Sequence, residues 1–239
     1  MPSEYIPEVE TLLWSFRHVF FNDQKPEQFH RGVKCAPIRV ERVPGSTPRK
    51  ERYRPISDKK LTYLEKHIKQ LVGQNVLEEL KTNSMNTHCS PVHIVLESRY
   101  QANIQKNVFK SRLTADLRAL NEVLPDASYP LPNNDLFRRE CASKGIRVFS
   151  NFDAASYFYQ FRLDRKSAEQ NLGLYALGKI YIFLCLAMGL KISPAIVQSV
   201  TEKFFACHPH VRTFINDITT FSHDELEHLR KDLPKTLAL

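Results

Sequence analysis

Apolar positions along the chain recur with two periods, and the switch between them divides the sequence. Over Pro7 to Phe21, the residues Val9, Leu12, Leu13, Phe16, Val19 and Phe20 return at helical spacing and predict an amphipathic helix. A second helix is predicted from Ser57, a hydroxyl N-cap, through Leu61, Leu64, Ile68 and Leu71 to Gly73, which is placed to end it. Val76 to Leu80 forms a short segment beyond. From Ser90 the pattern becomes strand-like: Pro91 to Leu96 alternates loosely, and Arg112 to Leu117 follows a polar loop. A proline-rich loop, Pro125 to Pro132, leads to a helix predicted over Asn134 to Ser143 and stopped by Gly145. In Ile146 to Asp153, Ile146, Val148, Ser150 and Phe152 alternate with Arg147, Phe149, Asn151 and Asp153, so the strand has two unlike faces and ends in an acid. Tyr181 to Leu186 reads as a buried strand. Ser193-Pro194 starts a helix with Ile196, Val197, Val200 and Phe204 as its buried face. Val211 to Ser222 predicts a β-hairpin with Asn216-Asp217 as the two-residue centre, both residue types that tolerate positive φ. Ser222-x-x-Glu225 then reads as a capping box opening a last helix along Leu226, Leu229 and Leu233.

Composition narrows the class of protein. With 239 residues, 42% hydrophobic and 25% charged, the chain can bury a real core. The apolar run Ile180 to Leu190 is bounded by Lys179 and Lys191 and is too short to span a bilayer, and no secretory leader is visible. Five scattered cysteines, Cys35, Cys89, Cys141, Cys185 and Cys207, fit neither a disulfide framework nor a zinc site, and point to reduced thiols in an intracellular protein, cytoplasmic or nuclear. The net charge of +8 favours polyanionic partners. Much of the excess crowds between Arg39 and Lys60 among Pro44, Pro48 and Pro55, which reads as a solvated, partly extended connector or a basic binding arm.

Seven short motifs then stand in order: Tyr53-Arg54-Pro55; Ser90-Pro91-Val92; Arg112-x-x-x-Asp116-x-Arg118-x-Leu120-Asn121; Tyr129-Pro130-Leu131-Pro132; Val148-Phe149-Ser150-x-x-Asp153; Met188-Gly189-Leu190 with Ser193-Pro194-Ala195 and Gln198; and Phe214-Ile215-Asn216-Asp217. In this order and spacing they resemble the fingers and palm of a reverse transcriptase, most similar to those of gypsy-type long-terminal-repeat retrotransposons. The resemblance implies an α/β (α+β) fold of right-hand polymerase type: an antiparallel palm sheet backed by helices, with the fingers inserted before it. It divides the chain into a helix and basic connector over 1–52 and fingers plus palm over 53–239, truncated after the hairpin, with thumb and ribonuclease H absent.

The implied activity is RNA-directed DNA polymerisation on an RNA or DNA primer-template with deoxynucleoside triphosphates. Nucleotide addition is an in-line displacement at phosphorus that two divalent ions can assist, and magnesium favours carboxylate oxygens while keeping several waters. Carried over residue by residue, the catalytic positions are Asp153, Asp217 and Asn216, with Asp153 and Asp217 as ligands for Mg2+ or Mn2+. Arg112, Phe158, Met188 and Gln198 fall at nucleotide-binding positions: Arg112 toward the triphosphate, Phe158 under the sugar, Gln198 toward template or sugar. Three of these have a plainer reading, namely a salt bridge of Arg112 with Asp116, a core ring at Phe158, and solvent exposure for Gln198. The departures count too. Asn216 replaces an aspartate, Glu97 lies near the place of a phosphate-binding lysine, and Met188 stands where glutamine or phenylalanine is usual. They imply an impaired catalyst, or a co-opted or decayed module binding nucleic acid or protein without catalysis.

Overall fold

A computed structural model describes residues 3–20, 32–81, 86–101, 106–127 and 129–239. Helices α1 (Ile6–Ser15), α2 (Asp58–Gly73), α3 (Arg118–Val123), α4 (Asn134–Ser143), α5 (Arg165–Asn171), α6 (Ser193–Phe205), α7 (Glu225–Glu227) and α8 (Leu233–Leu237) accompany eight strands. These are β1 (Leu77–Glu79), β2 (Cys89–Gln101), β3 (Lys106–Ala115), β4 (Val148–Asp153), β5 (Gly173–Ala176), β6 (Lys179–Phe183), β7 (Val211–Phe214) and β8 (Asp217–Ser222). By packing the chain forms two units, each assembled from separate stretches: the described residues of 3–20, 129–157 and 194–239, and those of 32–127 and 158–193.

The second of these units is built on a five-stranded mixed sheet in the order β1-β6-β5-β2-β3. β2 and β3 pair antiparallel from Val92↔Ala115 to Gln101↔Lys106, so the polar stretch between Leu96 and Arg112, expected as a loop, is largely strand. Opposite charges across the ladder, Glu97↔Lys110, favour that extension. β2 runs parallel to β5 through Cys89↔Gly173, where a Cβ on residue 173 would lie 2.7 Å from the His88 carbonyl; only glycine admits this approach. α2 buries Leu64, Ile68 and Leu71 as its spacing predicts. It starts after Ser57 and ends at Gly73 as expected, although the Ser57 side chain makes no cap bond and Asn75, not Gly73, takes the left-handed conformation (φ 52°) that turns the chain into β1. Phe161, Leu120, Leu172, Leu174, Ile182, Leu186 and Leu190 fill the core between these elements.

The other unit holds an antiparallel sheet in the order β4-β8-β7. The alternation along β4 is realised residue by residue: Val148, Ser150 and Phe152 face inward while Phe149, Asn151 and Asp153 are exposed. On the inward face lies a continuous final helix made of α7, a π-helical turn (His228–Asp232) and α8. Its Leu229, Leu233 and Leu237 form a buried cluster against Val9, Leu12 and Phe16 from the start of the chain and Phe152 from β4, each buried side chain contributing about 1.5–3 kcal/mol. The helix is capped by Asp224, whose carboxylate accepts from the Glu227 amide (2.9 Å). Ser222, expected to be that cap, is drawn into the interior instead. Its hydroxyl donates to Asp232 (2.7 Å) and lies 2.9 Å from His228 Nδ1, while His228 Nε2 lies 2.8 Å from the Ser150 hydroxyl. α4 spans the expected residues, with Asn133 accepting from the amides of Asp135 and Leu136 and Gly145 in the left-handed region beyond its end.

Candidate active site

The hairpin β7–β8 delivers the acid, and its turn sits one residue earlier than the turn residues suggest. Phe214 pairs with Asp217, so Ile215 and Asn216 form the centre and Asp217 is the first residue of β8. Ile215, a β-branched residue, takes the positive φ (54°), a conformation that disfavours such side chains by about 1–2 kcal/mol. Tertiary bonds on both sides outweigh the local preference. The Ile215 amide donates to Gln198 Oε1 (2.7 Å), and the Asn216 carbonyl accepts from the Ala154 amide (2.9 Å).

Because β4 and β8 pair with Asp153 directly opposite Asp217, the two carboxylates share one face at the same end of the sheet. Along that face Asn151 accepts from the Thr219 hydroxyl (2.9 Å), and Phe221 meets Phe137 of α4 edge-on at 5.4 Å. The Asn216 side chain completes the group: its Nδ2 donates to Asp153 Oδ1 in a short hydrogen bond. The substituted residue is therefore not merely uncharged. It occupies one of the oxygens a cation would need.

Gln198 is fully buried in α6 and faces neither solvent nor an open groove. β7 is an edge strand, and with Phe214 and Asp217 closing the turn, the Thr213 carbonyl and Ile215 amide point away from β8. Gln198 meets both, its Nε2 donating to Thr213 O (2.9 Å) while its Oε1 accepts from Ile215. Glu202, one turn on, accepts from the same Nε2 (2.8 Å) and from the Tyr129 hydroxyl. The sequence reading singles out Gln198 for template or sugar, not for the hairpin, and does not single out Glu202, although the two stand at the i, i+4 spacing that brings side chains together. The buried face of α6 is Ala195, Val197, Gln198 and Thr201; Phe204, expected inside, is 53% exposed.

The remaining candidates belong to the five-stranded unit and lie on separate elements. Arg112, on β3, pairs with Glu97 (3.7 Å), not with Asp116. Asp116 is already taken: Arg54 Nη2 and Arg118 Nη2 each donate to its Oδ2 at 2.6 Å, and these hydrogen-bonded guanidinium groups hold its carboxyl well below the usual range. Arg54 also contacts His93 Nε2 (2.6 Å), the residue after the second motif, and through Asp116 it ties the first motif to the third. Asn121 grips the loop after β6, donating to Gly189 O (2.8 Å) and accepting from the Lys191 amide (2.9 Å). On that loop Met188 is half exposed beside Gly189, whose φ is 92°. Phe158 is half-buried in a 3-10 turn (Tyr157–Gln160).

As a metal centre, Asp153 and Asp217 supply two carboxylates at an exposed end of the sheet. That donor set suits a hydrated Mg2+ or Mn2+ and not a closed cage. Among the described residues, no group of three or more His, Cys, Asp or Glu is placed to hold a metal ion.

A three-stranded sheet presenting opposed aspartates beside a braced hairpin, together with the five-stranded unit, matches the fold of reverse transcriptase fingers and palm. Comparison with known proteins agrees: the chain is homologous to retroviral and retrotransposon polyproteins and carries the reverse transcriptase fold. It is 28% identical over 166 residues to the enzymatic polyprotein of cauliflower mosaic virus (strain Strasbourg), covering 69% of this chain and 23% of that protein. To the retrovirus-related Pol polyprotein from transposon 297 of Drosophila melanogaster it is 23% identical over 224 residues, covering 93% and 20%. The chain thus spans about a quarter or less of the length of these curated relatives. Prototype foamy virus protease-reverse transcriptase superposes with a TM-score of 0.75 at 18% identity over 99% of this chain and 29% of that one. The foamy viral enzyme in complex with RNA/DNA hybrid gives 0.73 at 18% identity, over 100% and 29%. No family model matches the chain, and among the described residues no helix is long and apolar enough to cross a membrane.

Proposed function

We propose that the chain is the fingers and palm of a reverse transcriptase from a gypsy-type retroelement, and that its capacity for nucleotide addition is impaired. The observation that carries this reading is the register Asp153↔Asp217, which sets two carboxylates side by side on an exposed face while Asn216 binds one of them. A magnesium or manganese ion held there would stabilise charge on the attacking and leaving oxygens. The chain's own residues do the rest: β4 and β8 fix the carboxylates, Gln198 holds the turn through Ile215, and Arg112 is the candidate donor toward a triphosphate. Phe158 and Met188 are the further candidates for shaping the nucleotide site. The partners that follow are an RNA or DNA primer-template and deoxynucleoside triphosphates.

A second reading, a nucleic-acid-binding module without catalysis, draws on the same Asn216 bond, since a tethered Asp153 is a poor ligand for a cation. Primer extension with magnesium or manganese, run beside duplex binding at two salt concentrations, tests both. The expected outcome is no extension, with binding that weakens steeply as salt rises. Robust extension by the unmodified chain contradicts the impairment, and absent or salt-insensitive binding contradicts both readings.

A further inference from the structure

Within the five-stranded unit, the basic connector folds back on α5 around a cleft of about 500 Å3, within the usual range of ligand pockets, roughly 300–1,000 Å3. Arg39, Arg42, Lys166, Ser167 and Asn171 are among its lining residues. The connector is pinned in place at Val40, whose amide donates to Ser167 Oγ (3.1 Å) and whose carbonyl accepts from Asn171 Nδ2 (2.7 Å). Those bonds leave particular groups over. Ser167 Oγ, having accepted, keeps its own hydrogen to donate. Asn171, 4% exposed, has its Oδ1 buried with no partner among the described residues. Arg42 Nη1 is likewise buried and unpartnered.

A buried cationic N–H without an acceptor is among the more expensive defects a fold can hold. Neither acid of the cleft pairs with Arg42 among the described residues: Asp164 caps α5, accepting from the Ser167 amide (3.1 Å), and Glu41 is exposed. Arg39, Arg42 and Lys166 thus outnumber Asp164 and Glu41 in the lining, and Asn171 Oδ1 is its buried acceptor without a donor among the described residues. That inventory matches an ion with several anionic oxygens and one O–H, since the oxygens would take Arg42, Lys166 and Ser167 while the O–H answers Asn171 Oδ1. A hydrogenphosphate has this composition, whereas an ionised carboxylate and a backbone phosphodiester both lack the O–H.

We propose that this cleft binds a small free phosphate group: inorganic phosphate, pyrophosphate or the terminal phosphate of a nucleotide. The inference does not rest on the polymerase reading, because none of these residues belongs to the aspartate pair or its supports. The test is calorimetric titration of the full chain with inorganic phosphate and with pyrophosphate, without divalent metal. Saturable binding to one site is expected. Arg42→Gln and Lys166→Gln should each weaken it by about tenfold or more, the loss from removing one charged hydrogen bond. Lys166 is exposed, so its variant should keep the circular-dichroism spectrum of the parent. The proposal is overturned by the absence of saturable binding, which would mean that water alone fills the cleft, or by variants that bind as the parent does. It is also overturned if only an oligonucleotide lacking a terminal phosphate shows Arg42-dependent binding.

Discussion

Replacing Asn216 by aspartate removes a hydrogen bond and adds a charge at one stroke. In the native chain the Asn216 amide donates to Asp153 Oδ1. An exposed bond of this kind to a carboxylate contributes about 1–2 kcal/mol. The substituted carboxylate instead repels Asp153, by about 1 kcal/mol at 4 Å in a water-like dielectric and about 4 kcal/mol at an effective dielectric of 20. Since the turn stands at the surface, the lower value dominates, and Asn216→Asp should destabilise the metal-free protein by about 2–3 kcal/mol. A divalent cation reverses the sign, because three carboxylates then share a dication and the amide no longer competes for an oxygen. Ligand at 100 times its Kd stabilises by about 2.7 kcal/mol, so saturating magnesium should restore most of the loss. Thermal unfolding of both forms in chelator and in millimolar magnesium measures this directly, at about 2–4 °C per kcal/mol for a chain of this size. The expected pattern is a variant with a lower Tm in chelator and a larger magnesium response than the native chain. A variant as stable as the parent without metal would refute the hydrogen-bond argument, and equal magnesium responses would show that the hairpin is not at a metal site.

Two further outcomes follow from the buried polar groups. Gln198→Ala strands the Ile215 amide and the Thr213 carbonyl, and with the cavity it leaves should lower stability by about 3–4 kcal/mol; a loss under about 1 kcal/mol in urea titration would mean that the turn holds itself. His88 is wholly buried, and burial with the nearby charges of Arg42 and Arg49 pulls its pKa down to about 4. Its folded pKa is thus below its unfolded value of about 6.5, so stability is full above pH 6.5 and drains as pH falls toward 4, by on the order of 3 kcal/mol. His67, His210 and His228, also lowered chiefly by burial, act in the same direction. Urea midpoints measured between pH 7 and 4 should fall, and His88→Asn, which keeps an acceptor for the Arg49 amide, should flatten part of the slope; a flat profile in the parent would contradict the buried neutral state.

Elements governed by periodicity were legible from the residues alone. The faces of β4, the buried stripe of α2 and the bounds of α4 all follow from spacing and capping chemistry that act within a few residues. What could not be read locally was decided by distant partners. The turn centre moved to Ile215-Asn216 because Gln198 and Ala154 reach it from elsewhere in the chain. Ser222 gave up its capping role to Asp224 because Asp232 and His228 offered it a buried network. Arg112 found Glu97, since two other arginines had already claimed Asp116. Gln198 looked like a surface contact for template or sugar because no local rule marks an amide as the partner of an open strand edge.

The pairing of β4 with β8 has a consequence for the ensemble of states this chain can populate. One face of these strands carries Asp153 and Asp217, and the other packs on the cluster of Leu229, Leu233 and Leu237. Slippage of β8 by a single residue would exchange the faces, pressing Asp217 into the leucines and lifting Ile218 into water. An unpaired buried carboxylate raises such a slipped state by several kcal/mol, so it lies well below one molecule in a hundred. Alignment of the two carboxylates is therefore enforced by the hydrophobic core beneath them and survives whatever occupies position 216.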